Sequence, residues 1–255
     1  MRINMMKNRP LSPFTSHQTK GEAIAALVYL PVHVLILPML MGFVFARFMP
    51  GISTAAFNFI YYAIGIGYML AFELKFLRRD FDPLCDRVLD CMIEILACYG
   101  IMLLLNLLMN GLLMLLLNLL NGFSFSFADN PNNAAVIDMT VTDMNSVSAM
   151  AVFIAPIVEE LMFRAGVFGL LRRRSRILAY AVSILLFSLY HVWSFALADP
   201  YALIYIVQYI PATYVLCRCY ERTNSIWGSI FLHMLINGLS MAAITTLGDY
   251  LCLIL

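Results

Sequence analysis

The sequence predicts an all-α integral membrane protein, a polytopic bundle of seven or eight transmembrane helices. Of its 255 residues 62% are hydrophobic and only 12% are charged, which excludes an ordinary soluble domain. The apolar residues are also gathered into runs of about 20, the length that a helix needs to cross a bilayer. We therefore expect the lipid bilayer to be the main partner of the chain, and we expect no nucleic-acid binding.

Seven apolar runs meet this length. The first is too long for the apolar region of a signal peptide and has no cleavage site after it, so we expect it to be retained as a span. Pro31 and Pro38 should kink it, which membrane helices tolerate. The runs cover residues 22–45, 56–76, 95–117, 147–171, 177–197, 201–217 and 226–247.

The basic residues are concentrated in alternate connections. They precede span one and follow spans two, four and six, so all of them fall on one side of the membrane, whereas the other side has Arg47 and several aspartates. By the positive-inside rule the basic side is cytoplasmic, with the N-terminus inside and the C-terminus outside. The expected location is the plasma membrane of a bacterium.

Two polar patterns flank the third span. Acidic residues recur at every fourth position before it, which is typical of the solvated face of a helix. Four asparagines in and after it fall within about 120° of a helical arc, which indicates hydrogen bonding to a neighbouring helix or, alternatively, a substrate path. The two sets are Asp82, Asp86, Asp90 and Glu94, and Asn106, Asn110, Asn118 and Asn121.

Span four contains three charged residues, Glu159, Glu160 and Arg164. Each would cost about 2.5–3.5 kcal/mol near the bilayer centre, so a function or a partner should explain them. Glu160 and Arg164 are spaced to pair on one helix face. Glu159 points about 100° away from Glu160, so we expect the two glutamates to face different partners and Glu159 to face a cavity. The alternative is a buried ion pair that joins helices. Pro156, one turn earlier, should loosen the helix.

Later spans contain more polar residues. His191 follows Phe187 by one turn, and His233 precedes Asn237 by one turn. A single membrane histidine usually bonds a neighbouring helix, but two histidines, a carboxylate and a carboxamide on separate spans indicate a shared polar site. His17 and His33 have no such neighbours in the sequence, and we expect them to be structural.

The three motifs together resemble those of the CPBP family, which contains the CAAX prenyl endopeptidases and bacteriocin-processing enzymes. They are Glu159-Glu160-x-x-x-Arg164, Phe187-x-x-x-His191 and His233-x-x-x-Asn237, in this order on three predicted helices. The resemblance covers residues 147–247, and the first three spans add nothing to it. Together with the predicted spans and their orientation, it divides the chain into a cytoplasmic segment 1–21, N-terminal spans 22–146 with an external polar loop 122–146, and a catalytic core 147–255.

The resemblance implies an intramembrane endopeptidase that acts on a membrane-associated protein or peptide. By motif position, Glu159 and His191 would activate a water molecule, and His233 and Asn237 would complete the site, with Asn237 stabilising the oxyanion. Glu160, Arg164 and Phe187 would support them.

Zinc is an open question for this set. Glu159, His191 and His233 could bind it with one position left open, and the family has often been described as metalloproteases. The sequence has no His-Glu-x-x-His motif, so we expect no obligatory metal.

Two other functions are compatible with the same residues. A non-catalytic member of the fold could act as a bacteriocin self-immunity or regulatory binding partner. A membrane haem protein could use His191 and His233 as axial ligands, but Glu159, Glu160 and Asn237 would then have no role. The intact set of motif residues favours the protease.

Overall fold

The computed structural model describes residues 14–119 and 130–247, and every regular element in this part is a helix. Seven of the helices are long and apolar enough to cross a bilayer, which confirms the predicted class and number of spans. The helices are α1 (Lys20–Phe48), α2 (Thr54–Cys85), α3 (Val88–Leu119), α4 (Pro131–Thr142), α5 (Met144–Arg172), α6 (Arg176–Ala196), α7 (Pro200–Thr223) and α8 (Ile226–Leu247).

The short helix α4 lies in the segment that we predicted to be a loop. Its start is capped by Asn130, whose side-chain oxygen accepts hydrogen bonds from the backbone N–H groups of Asn132 at 2.9 Å and Asn133 at 3.5 Å. Pro131 occupies the first turn, where its missing donor costs nothing. The prediction of a loop was wrong for residues 131–142. The segment is polar, but an asparagine cap followed by proline is a common start of a helix.

The predicted acidic face before span three was wrong in part. The chain turns between Cys85 and Val88, so the four acids do not lie on one continuous helix. Glu94 is not solvated, because it pairs with Arg218 at 3.1 Å and Arg222 at 2.7 Å on α7. A neighbouring helix thus uses the last acid of the series as an ion-pair partner.

The residues before α1 are attached to one end of the bundle. The backbone N–H of Thr15 donates to the side chain of Asn224, His17 pairs with Asp80 near the end of α2, and Arg173 donates to the backbone of residue 18 at 2.8 Å. These contacts place the N-terminal segment, the ends of α2 and α5 and the α7–α8 turn together. This end of the bundle carries the basic connections.

Helix α5 forms the centre of the molecule. All its residues from Leu161 to Gly169 are buried. A side chain at Gly166 would come within 3.2 Å of the Cβ atom of Ala26, so the lack of one allows α1 to approach closely. Two stretches of α5 are π-helical, Met150–Ile154 and Leu161–Phe168. They flank the short α-helical turn that carries both glutamates, and such irregular turns are frequent at functional sites.

Candidate active site

Glu160 is fully buried, and three side chains contact its carboxylate. Arg164 Nη1 lies 3.1 Å from Glu160 Oε1, which confirms the predicted pairing one turn apart. The hydroxyl of Ser229 donates to Glu160 Oε2, and His233 Nδ1 lies 2.8 Å from Oε1. Because a buried carboxylate is stable only when it is paired and hydrogen-bonded, these contacts explain how Glu160 is tolerated there.

His233 lies between the two glutamates. While its Nδ1 contacts Glu160, its Nε2 lies 3.8 Å from Glu159 Oε2. The prediction that Glu159 and Glu160 face different partners was therefore wrong. The two nitrogens of one imidazole point in different directions, so a ring placed between diverging side chains can reach both. Glu160 is thus linked to Glu159 through His233.

Arg164 is stabilised mainly by charge and by an aromatic ring. Its guanidinium carbon lies 4.0 Å from the centroid of Phe187, a cation–π contact. Its nitrogens are fully buried and make no well-aligned hydrogen bond within the described residues, so the approach to Glu160 is an ion pair without hydrogen-bond geometry. Phe187, predicted as a supporting residue, therefore contacts the cation directly.

His191 has a defined tautomer. Its Nδ1 lies 2.9 Å from the carbonyl oxygen of Phe187, which can only accept, so Nδ1 carries the proton and Nε2 is left with a lone pair. The ring stacks on Tyr209 with centroids 4.4 Å apart. His191 and Glu159 line the same cavity, but no direct bond between their side chains occurs among the described contacts.

The side chain of Asn237 donates a hydrogen bond to a backbone carbonyl of α5. In the π-helical turn the N–H of Ala155 donates to the carbonyl of Met150, five residues earlier. The next donor in this series would be residue 156, which is proline, so the carbonyl of Ala151 lacks its helical partner. Asn237 Nδ2 donates to that carbonyl at 2.8 Å. One N–H of the Asn237 amide remains for another acceptor.

A cavity of about 640 Å³ joins the four predicted catalytic residues, Glu159, His191, His233 and Asn237. Many of its other polar lining groups are carboxamides. Two of them, Asn106 and Asn110, belong to the predicted asparagine stripe, whereas the side chains of Asn118 and Asn121 lie outside the described residues. The remaining carboxamides come from three different parts of the chain, α2, the start of α4 and α7: Asn58, Asn130, Asn132, Asn133 and Gln208.

Sequence reasoning missed a chain of hydrogen bonds that ends on Glu159. The hydroxyl of Tyr62 donates to Glu159 Oε1 at 2.7 Å and lies 2.9 Å from the hydroxyl of Tyr190. The Tyr190 hydroxyl in turn lies 3.3 Å from Nε2 of His33, which is fully buried. His33 therefore does have polar neighbours that connect it to the site. No spacing in the sequence relates α1 and α2 to α6.

Ser229 could have been found from the sequence. It precedes His233 by four residues, just as His233 precedes Asn237, so the three share one face of α8. The same four-residue spacing, taken backward from His233, predicts Ser229 as a neighbour of the site.

The three residues that would hold zinc if a metal were bound are not arranged as a metal site. Among the described residues, no three histidine, cysteine, aspartate or glutamate side chains form a group that could hold a metal ion. Glu159 and His233 approach each other, but His191 does not complete a three-ligand set with them. The residues present therefore do not fit a zinc ion in this arrangement.

These features define a helical membrane protein with a buried glutamate, histidine and asparagine site. In comparisons with known proteins, the family model described as "Type II CAAX prenyl endopeptidase Rce1-like" matches residues 144–239. This match confirms the resemblance for residues 144–239, the segment that contains the three motifs, and it supports membership of the CPBP family. The family indicates a CAAX-type intramembrane protease in general. No curated protein and no solved structure matches the chain.

The matched segment contains all four predicted catalytic residues. It does not contain Tyr62 or His33. The division of the chain at residues 21 and 146 stays a prediction.

Proposed function

We propose that this protein is an intramembrane endopeptidase that hydrolyses a peptide bond in a membrane-associated protein or peptide. The observation that carries the proposal is the shared cavity, which Glu159, His191, His233 and Asn237 from three helices line together. Two further features support it. Tyr62 occupies Glu159 Oε1 and leaves Oε2 for a water molecule, and the tautomer of His191 leaves Nε2 for the same water.

In the proposed reaction, Glu159 takes a proton from the water as its oxygen attacks the carbonyl carbon of the substrate. Negative charge develops on the carbonyl oxygen, and the free N–H of Asn237 is suited to stabilise it. The carbon–nitrogen bond then breaks, and Glu159 returns the proton to the leaving amine. His233 is held by Glu160, which also accepts a hydrogen bond from Ser229, and it keeps the Glu159 side of the cavity ordered.

The test is cleavage of apolar membrane peptides by the purified protein in detergent. We expect Glu159→Gln and His191→Ala to lower kcat by at least about 100-fold, the usual contribution of a general base. Glu73→Gln is the matched control, because Glu73 is also fully buried in a transmembrane helix but lies outside the cavity lining. Equal rates for wild type and Glu159→Gln would exclude this mechanism.

The same assay distinguishes a protease from the main alternative, a non-catalytic binding protein. If wild type cleaves none of the peptides but binds one of them, the non-catalytic immunity or regulatory function is favoured. We also propose that no metal is obligatory. A zinc chelator should then leave the rate unchanged, and a loss that added zinc restores would contradict this proposal.

A further inference from the structure

The cavity extends from the middle of the bundle into one of its halves. Seven transmembrane helices line it, and the lining residues of each helix are clustered rather than spread along its length. The clusters are residues 34–38 of α1, 54–62 of α2, 102–110 of α3, 150–159 of α5, 187–195 of α6, 208–216 of α7 and 233–244 of α8.

These clusters identify the end of the bundle to which the cavity extends. Consecutive spans are antiparallel, so the first halves of α2 and α5 lie on the same side as the second halves of α1 and α6, whereas the clusters of α7 and α8 extend from the middle of each helix toward that same side. That side is opposite the basic connections. Toward the basic end the cavity is closed, because residues 160–169 of α5 are all buried and Glu160 and Arg164 are fully enclosed.

Helix α4 lies at this end and lines the cavity with Asn132 and Asn133. It is connected to the candidate active site. Asn130, which caps α4, donates from Nδ2 to the hydroxyl of Tyr209 at 3.1 Å, and Tyr209 stacks on His191. Helix α4 is therefore one wall between the end of the bundle and the reacting groups.

The side chains that line the cavity indicate what kind of molecule it can bind. Apart from Glu159 and the two histidines, the lining residues in the described chain carry no ionisable side chain except tyrosine. Carboxamides both donate and accept hydrogen bonds, as a peptide group does. Between them lie apolar side chains such as Met139, Val136 and Phe195. This combination suits the main chain of an extended segment with uncharged, apolar side chains.

We propose that the substrate is an uncharged, apolar polypeptide segment that enters the cavity past α4, from the side of the membrane opposite the basic loops. By the positive-inside rule this side is extracytoplasmic. The identity of the occupant as a substrate rests on the proposed protease function. The side of entry does not depend on it.

Cysteine labelling in intact bacterial cells tests the side of entry. One variant carries Asn133→Cys with Cys85→Ala and Cys252→Ser, and the control carries Cys252→Ser alone. Cys85 is exposed at the end of α2, at the basic side, and the other described cysteines are buried. We expect a membrane-impermeant maleimide to label the new thiol at position 133 in intact cells, and Cys85 of the control only after permeabilisation. The opposite pattern would overturn the proposal, whether or not the protein cleaves peptides.

Cleavage by the labelled, purified variants tests whether the substrate enters the cavity past α4. A bulky adduct at position 133 should abolish most of the cleavage, whereas the same adduct at Cys85 should leave the rate unchanged. A rate that is insensitive to the adduct at position 133 would overturn entry past α4. If unmodified protein cleaves nothing, the proposed function fails, but the labelling result still decides the side to which the cavity opens.

Substrate chemistry is tested with pairs of peptides. Replacing an apolar residue beside the cleaved bond by lysine should lower kcat/KM by at least about tenfold, because the cavity would bury that charge without a partner. Equal kcat/KM values for the two peptides would contradict an uncharged substrate.

Discussion

At the residue scale, the hydrogen bonds around Glu159 have a single consistent direction. The hydroxyl proton of Tyr62 is given to Glu159, so Tyr190 must donate to Tyr62, and His33 Nε2 must donate to Tyr190. His33 Nδ1 is then free to accept from the Tyr29 hydroxyl, 3.4 Å away. Every proton in this chain points toward the carboxylate, and such chains polarise their members cooperatively. The result is a fixed orientation of Glu159.

The variant Tyr62→Phe tests this arrangement. Loss of a hydrogen bond to a charged group should lower kcat by about 10- to 100-fold, a larger change than any in KM, because the orientation of Glu159 changes. Initial rates over a range of peptide concentrations give both constants. Tyr68→Phe is the control, since the Tyr68 hydroxyl on the same helix donates to the carbonyl of Ala25 at 3.1 Å. Equal losses in both variants would contradict the role of Tyr62.

His17 should make the attachment of the N-terminal segment depend on pH. The hydrogen bond to the carboxylate of Asp80 raises the pKa of His17 above 6.5, although burial and Arg79 partly oppose this rise. A raised pKa in the folded state means that the stabilisation is complete below about pH 6.5 and is lost as the pH rises through the folded-state value.

Hydrogen exchange of the backbone amides of residues 14–19 measures this effect. Protection should fall as the pH rises above 6.5, after correction for the intrinsic exchange rate. In His17→Gln the corrected protection should no longer vary over that range. A variant that keeps the wild-type profile would show that another group is responsible.

At the element scale, α5 combines transmembrane hydrophobicity with an irregular backbone. Its glutamates lie on six residues of regular α-helix, Ala155–Glu160, between two π-helical stretches. Pro156 explains the first irregularity, because it cannot donate to a carbonyl of the preceding turn. The carbonyl of Ala151 is then available to Asn237 on α8, so one missing donor joins two helices of the site.

This contact gives a way to separate the structural role of Asn237 from its predicted catalytic role. Asn237→Leu should lower the free energy of unfolding by about 1–3 kcal/mol, because the Ala151 carbonyl loses its partner. Adding Pro156→Ala supplies a backbone donor to the same turn and should restore most of the thermal stability in detergent. Cleavage should stay low in the double variant. Recovery of cleavage together with stability would show that Asn237 is only structural.

At the scale of the whole molecule, the site is completed by both halves of the chain. The family match at residues 144–239 covers the predicted catalytic residues, but the group that holds Glu159 Oε1 comes from α2. His33, at the far end of the hydrogen-bond chain, comes from α1. The N-terminal helices therefore contribute to the site as well as to the membrane anchor.

The predicted orientation of the whole bundle is testable with fused reporters. With seven spans and the basic connections inside, alkaline phosphatase fused after Thr246 should be active, and green fluorescent protein at the same point should be dark. The same fluorescent protein at the N-terminus should fluoresce. Fluorescence from the fusion after Thr246 would contradict the orientation and, with it, the extracytoplasmic entry of substrate.

The sequence by itself determined the class, the number of spans and the three motifs, because hydrophobic length and one-turn spacing are local properties. It also identified the pairing of Glu160 with Arg164, which lies within a single helix. Only the tertiary structure placed His233 between both glutamates and Tyr62 against Glu159. These contacts join residues up to 97 positions apart, and no local period encodes which helices become neighbours. The side on which the cavity lies was decided in the same way, by the packing of the spans around α5.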